Sequence, residues 1–176
     1  MRLQIRLQKT NAARLLDSLG IPYELLAYDV DPDDLAAPSV ARKLGLPPEQ
    51  VWKTLVCTTE HRADLHAGPT SGHVFAVLAG SDELDLKKLA AAANARSAAL
   101  APLKEVQSLT GYIRGGVTVL EAKKPFPAFA DETIQLHDRI SISAGQRGLQ
   151  LLLTPADYLR AAAATLADIA ATGSHA

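Results

Sequence analysis

The spacing of apolar residues changes period several times along the chain. From Thr10 to Gly20, Leu15, Leu16 and Leu19 share one helical face; Thr10 or Asn11 can cap the start, and Gly20 with Pro22 ends it. Tyr23 to Val30 reads as a strand closed by the turn Asp31-Pro32-Asp33-Asp34. Pro38 to Leu44 reads as a short helix with Val40 and Leu44 inward, ended by Gly45, and Pro47-Pro48-Glu49-Gln50 can open one further turn. Trp52 to Thr58 and His73 to Ala79 are strand-like, and the long connection His61 to Gly72 between them predicts an antiparallel pair. Helices are predicted over Asp85 to Asn94 and Pro102 to Leu109. Short strands are predicted at Val117–Glu121, Thr133–Leu136, Arg139–Ser143 and Leu149–Leu153. Thr154-Pro155 caps a last helix whose apolar line runs Leu159, Ala162, Leu166, Ile169.

Helices and strands are interspersed, with several strands adjacent in sequence. The expected class is therefore one α+β domain over residues 10–170, its sheet antiparallel or mixed and curled. Residues 1–9 form an N-terminal extension, and 171–176 a frayed tail.

Composition narrows the function classes. The chain has 176 residues, of which 48% are hydrophobic and 21% charged, enough for an ordinary core and too apolar for intrinsic disorder. Eighteen Lys and Arg against nineteen Asp and Glu give a net charge of −1, which excludes coating of nucleic acid by bulk charge while leaving room for a local basic patch. One cysteine, Cys57, excludes a disulfide framework and a cysteine zinc cage. Met1 to Lys9 lacks the apolar core of a signal peptide, and no run is long enough for a membrane helix, so a cytoplasmic address with no membrane partner is expected.

Motifs for nucleotide hydrolysis, dinucleotide binding, serine esterases and zincins are absent from the sequence. His61, His66 and His73 share a loop region, but their spacing fits no standard metal site; they read as solvated loop histidines. Lys53 is more informative. On a strand it lies on one side with Leu55 and Cys57, while Trp52, Thr54 and Val56 lie on the other. An ammonium among apolar neighbours must find a partner, reach water or lose its proton. It is either a lysine snorkelling from a strand start or an electrostatic anchor in a cleft. Two glycine-bearing turns follow, Gly111-Tyr112-Ile113-Arg114-Gly115-Gly116 and Ser143-Ala144-Gly145-Gln146-Arg147-Gly148. Each allows a backbone to run close to a ligand, and the second, lying between two strands, is also an ordinary hairpin turn.

The segments Val51-Trp52-Lys53-Thr54-Leu55, Leu84-Asp85-Leu86-Lys87-Lys88, Thr110 to Gly116 and Ser143 to Leu149 together resemble the signatures of the YbaK/EbsC family, which includes the Cys-tRNA(Pro) deacylases and prolyl-tRNA editing domains. Thr10 to Asp31 and Val40 to Pro47 are similar to it as well, so the resemblance spans Thr10 to Ile169. It implies a barrel-like curled, mixed sheet surrounded by helices, and removal of a wrong amino acid from tRNA in trans, with Cys-tRNA(Pro) as substrate. Ala-tRNA(Pro) or another small aminoacyl-tRNA is the alternative substrate, and a silent aminoacyl-tRNA or synthetase-binding module the alternative class. The resemblance gives Lys53 the catalytic role and Tyr28, Thr54, Gly115, Gly116, Ser143 and Gly145 to substrate binding. It implies no cofactor and no metal, and as partners the acceptor end of an aminoacylated tRNA and prolyl-tRNA synthetase. The substrate's own thiol would attack the ester, which leaves Cys57 as a core residue. Lys87, Lys88, Lys123, Lys124, Arg139 and Arg147 are candidates to meet the acceptor end. Two positions depart from the family: Val119 stands where its glycine loop has proline, and Gln146 where lysine is frequent.

Overall fold

A computed structural model describes residues 8–61 and 71–172; most of the N-terminal extension, His66 with most of its loop, and the tail from residue 173 lie outside the described residues. Helix α1 (Asn11–Ser18) starts where Thr10 accepts the Ala13 amide, and it buries Ala12, Ala13 and Leu16, leaving Leu19 exposed at its C-cap. Strand β1 is Glu24–Ala27. Helix α2 (Ala37–Leu44) carries proline in its first turn and stops at Gly45, whose φ of 68° is left-handed. A single 3-10 turn, Pro48–Gln50, leads into β2 (Trp52–Glu60), which pairs antiparallel with β3 (Ser71–Ala79) along its whole length. Helix α3 (Leu86–Ala92) is capped by Asp85, which accepts the amides of Lys87 and Lys88. Then come β4 (Ser97–Leu100), α4 (Leu103–Thr110), β5 (Ala128–Asp131), a 3-10 turn over Glu132–Leu136, β6 (Ile140–Ser143), β7 (Leu149–Leu153), α5 (Pro155–Ala162) and β8 (Thr165–Ala167).

The fold is α+β with mixed strand pairing, as expected. The strands form a three-stranded sheet, β1-β7-β6, and a five-stranded sheet, β4-β2-β3-β5-β8, which are not closed into a barrel. A parallel bridge between Val51 and Ser141 links them. The main core lies between the sheets and joins α1 (Leu16), β2 (Trp52), β3 (Val77), β6 (Ile142), β7 (Leu151) and α5 (Tyr158). A second cluster packs Cys57, Val74 and Ala76 on the other face of the large sheet beneath Leu89 of α3. The alternation expected of β2 therefore holds: Cys57 and Leu55 serve one face, Trp52 and Val56 the other.

Three expected elements differ. Val117–Glu121 is turn and bend rather than strand, and Thr133–Leu136 belongs to a 3-10 turn capped by Asp131. The last helix ends at Ala162, not near Ile169, because Ala163 takes a left-handed φ of 48°. Leu166 then enters β8, parallel to β5, and Asp131 Oδ2 accepts the amides of Ile169 (3.0 Å) and Ala170 (2.9 Å). Sheet pairing and a buried carboxylate outcompete an alanine-rich helical run.

Candidate active site

Strand β2 creates the site through an incomplete edge. β3 covers one edge throughout, but β4 pairs only with Cys57–Glu60 on the other. The Ala101 amide donates to the Val56 carbonyl at 2.9 Å, so by alternation the Thr54 N–H and C=O face the same side, into the gap between β4 and β6. A cleft of about 450 Å³ fills this gap. Lys53, Thr54, Leu55 and Val56 form one wall, and Gly115 and Ser143 line it too. The N-terminal ends of α2 (Leu35, Ala36, Ala37) and α4 (Ala101, Leu103) complete much of the rest.

Lys53 is half-buried, and its Nζ donates to the carbonyls of Gly80 (3.3 Å) and Asp82. Burial lowers its pKa from the usual lysine value, opposed by the nearby charges of Asp82 and Glu83. The ammonium is thus partnered by backbone carbonyls, and the residue lines the cleft. Two of its three N–H groups are held by backbone, which leaves one for a ligand. The fixing device is Gly80: a Cβ there would lie 2.3 Å from the Ala37 Cβ and 2.8 Å from the Val51 carbonyl oxygen. Only glycine lets the end of β3 come this close to α2 and β2.

The two glycine turns pack on each other. A Cβ on Gly116 would approach the Gln146 Cα to 3.0 Å, and Gly115, at φ +86°, lies against the Arg147 side chain. Arg147 Nε donates to the Arg114 carbonyl at 2.8 Å, and the Gly116 amide donates to Ile113 O at 2.9 Å. Ser143 Oγ accepts the Gly145 amide at 3.2 Å, which leaves its own O–H to donate. Thr54 neighbours the hydroxyl of fully buried Tyr158, whose pKa burial raises.

Of the seven residues singled out in the sequence, Lys53, Thr54, Gly115 and Ser143 line the cleft, whereas Tyr28, Gly116 and Gly145 do not. Gly116 supports the lining from behind. Gly145 abuts the Tyr112 ring on the far side of the turn. Tyr28 packs with Val40, Ala41 and Val51 near α2. None of the six candidate cations lines the cleft; Arg114 does. Lys88 is paired with Asp168 at 2.8 Å and Arg139 with Glu24 at 3.3 Å. Val119 is not itself a lining residue of the cleft but packs against the cluster that contains the lining residues Val56 and Val106. Cys57 is fully buried, and burial pushes its thiol up to about 12, as suits a core residue. His61 contacts Thr59 and Asn94, His73 packs near Phe126, and among the described residues there is no cluster fit for a metal.

The alternation pattern missed Gln150. It is buried on β7 and lines the cleft, and its Oε1 accepts Ser141 Oγ at 3.1 Å. A polar residue inside an otherwise apolar strand, Leu149 to Leu153, is the signal that could have found it. The walls from α2 and α4 carry only apolar residues, indistinguishable in sequence from core.

The aminoacyl-tRNA editing domain profile matches residues 32–161. The chain is 38% identical over 162 residues to EbsC of Enterococcus faecalis, a protein named for deacylation of Cys-tRNA(Pro) and Cys-tRNA(Cys), covering 92% of this chain and 93% of that one. It is 31% identical over 121 residues to the multifunctional Ser/Thr-tRNA deacylase ProXp-y of Escherichia coli K12, covering 68% of this chain and 69% of the relative. A crystal structure described as a trans-editing enzyme for prolyl tRNA synthetase superposes with a TM-score of 0.72 at 22% identity, covering 93% of this chain and 99% of the other, and shares its fold.

Proposed function

The chain belongs to the aminoacyl-tRNA editing domain family, and from that premise we propose that it deacylates mischarged Cys-tRNA(Pro) in trans, with Lys53 as the electrostatic anchor. The observation that carries this reading is the Lys53 ammonium, held by two carbonyls on the wall of a largely apolar cleft beside Gly115 and Ser143. The 3′-terminal aminoacyl ester enters the gap in the β2 edge. The remaining Lys53 N–H and the Ser143 O–H point the chemistry at the ester carbonyl or the adjoining phosphate, where fixed donors favour developing negative charge. Orientation supplies the rest.

For a cysteinyl ester the substrate thiol attacks its own carbonyl carbon. A C–S bond forms, the bond to the ribose oxygen breaks, and the proton lost from sulfur ends on that oxygen. The product is a free tRNA end and a thiolactone that water opens to cysteine. The cleft's apolar residues Val56, Leu103 and Val106 suit a small side chain without charge. Prolyl-tRNA synthetase is the proposed supplier of substrate, in keeping with a net charge of −1 that gives little general affinity for RNA. The family's curled-sheet shape is proposed here only as the gap geometry of β2, β4 and β6.

A panel of Cys-tRNA(Pro), Cys-tRNA(Cys), Ala-tRNA(Pro) and Ser-tRNA(Pro) tests the reading. Release of cysteine well above the other amino acids is expected. Release of alanine alone moves the substrate to the small-aminoacyl alternative, and binding without any release makes the chain a binding module. A seryl ester cleaved as fast as the cysteinyl ester would replace the thiol by an attacking water.

A further inference from the structure

A second groove of about 560 Å³ lies behind the glycine turns. Its lining includes Lys9, Arg14, Tyr112, Gly145, Gln146 and Arg147, with three cations and no carboxylate. Lys9 is paired with Asp17 at 2.6 Å. Arg14 is exposed, and its guanidinium donates to Asn11 Oδ1 at 2.8 Å. Among the described residues, neither Arg14 nor Arg147 has a carboxylate within ion-pair distance. In a chain of net charge −1, this local excess of positive charge stands out.

The groove and the cleft share no lining residue, and Arg147 stands between them. Arg147 lines the groove, while its Cγ and Nε lie 3.4 Å from where a Cβ of Gly115, a cleft residue, would stand. Nε is committed to the Arg114 carbonyl, so the two terminal guanidinium nitrogens remain as donors. A chain that leaves the cleft across the Ser143–Gly148 turn meets Arg147 and then Arg14.

We propose that this groove binds the phosphodiester backbone of the single-stranded RNA tail whose terminal aminoacyl residue occupies the cleft. The proposal rests on the editing reading. Guanidinium groups suit phosphate by their planar fork of donors. Contacts to the backbone give register and affinity without sequence readout. The tail then spans two sites on opposite sides of one turn, and the wrong amino acid is presented by its own carrier.

The test measures binding separately from cleavage. Uncharged tRNA is titrated into the wild-type protein, Arg14→Glu, Arg14→Ala and Arg96→Glu at several salt concentrations, with thermal melting to verify folding. Arg96 sits at the far end of β2, where its amide donates to Glu60 O, and serves as a charge control. Arg14→Glu is expected to weaken binding about tenfold at low salt. It should also flatten the slope of log affinity against log salt by about 0.7–1, one phosphate contact. Arg14→Ala should show the same trend, smaller. Wild-type affinity and slope in both Arg14 variants, as expected if a protein surface covers the groove, overturn the proposal. So does an equal loss in Arg96→Glu. Failure of the wild type to release any amino acid would refute the editing reading instead, because it leaves these binding results unchanged.

Discussion

Arg147 Nε donates to the Arg114 carbonyl at 2.8 Å, so the turn after β6 holds the Gly115 bend against the cleft. Arg147 is thereby a positioning residue for the bend. Replacing it with Ala is expected to lower kcat roughly tenfold, since small misplacements at a reacting centre are costly. Lysine cannot reproduce a directional Nε–H on a planar group and should rescue little of kcat. A role confined to stability would instead lower the melting temperature with kcat intact. Steady-state kinetics and melting of both variants decide it.

Lys53→Ala is expected to lower deacylation by at least about 100-fold, on the scale of removing one preorganised donor at a developing charge. The fold should persist, because the amine is only half-buried. Burial depresses the Lys53 pKa, so enzyme-dependent deacylation should fall on the alkaline side with a midpoint below the ordinary lysine value of 10.5. Between the folded and unfolded pKa values the unfolded chain binds more protons, so this group's contribution to stability rises with pH there. A pH–rate profile corrected for spontaneous ester hydrolysis reads the first effect.

Gly80→Ala tests the frame beneath that amine. The added methyl would meet the Ala37 Cβ at 2.3 Å and the Val51 carbonyl oxygen at 2.8 Å, neither of which is the end of a flexible side chain. Overpacking of this kind costs about 1–3 kcal/mol. Because the Gly80 carbonyl accepts Lys53 and Ala37 lines the cleft, activity should fall by more than the loss of folded protein explains. Denaturant titration alongside single-turnover kinetics separates the two.

Asp131→Ala is expected to destabilise the fold by roughly 2–4 kcal/mol, because it strips the acceptor from the buried Ile169 amide and the part-buried amides of Ala170 and Thr133 at once. Desolvation raises the Asp131 pKa, but the hydrogen bonds from Thr133, Ile169 and Ala170 outweigh it and hold the carboxyl below its usual value. The contribution is therefore complete above about pH 4 and is lost as pH falls through the lower, folded value. Chemical denaturation from pH 7 down to pH 2 should show a steeper acid loss in the wild type than in Asp131→Asn.

Local pattern was enough for elements whose signals are carried by their own residues. Thr10 and Thr154 cap helices wherever they stand before an apolar run, and Gly45 and Gly111 end them through a left-handed φ. The two-sided apolar alternation of Trp52 to Cys57, with one lysine in it, made Lys53 conspicuous before any coordinates. The end of α5 carried no such mark. Ala163 is an alanine in a left-handed turn, and the chain leaves the helix there because Asp131, thirty-odd positions earlier, gathers the amides beyond β8. The placement of Tyr28 outside the cleft, and of Leu103 and Val106 inside it, depended on how helices α2 and α4 meet the open edge of β2.

Sequence alone determined which residues could carry chemistry: one lysine in an apolar strand, two glycine-bearing turns, no nucleophile with a base beside it. Tertiary structure decided which of them meet. Helix caps and strand alternation act over a few residues, whereas the cleft exists because β4 and β6 each leave the same five-residue stretch of β2, Trp52 to Val56, without a complete partner. That gap is a property of pairing between distant segments, and no local run of residues encodes it.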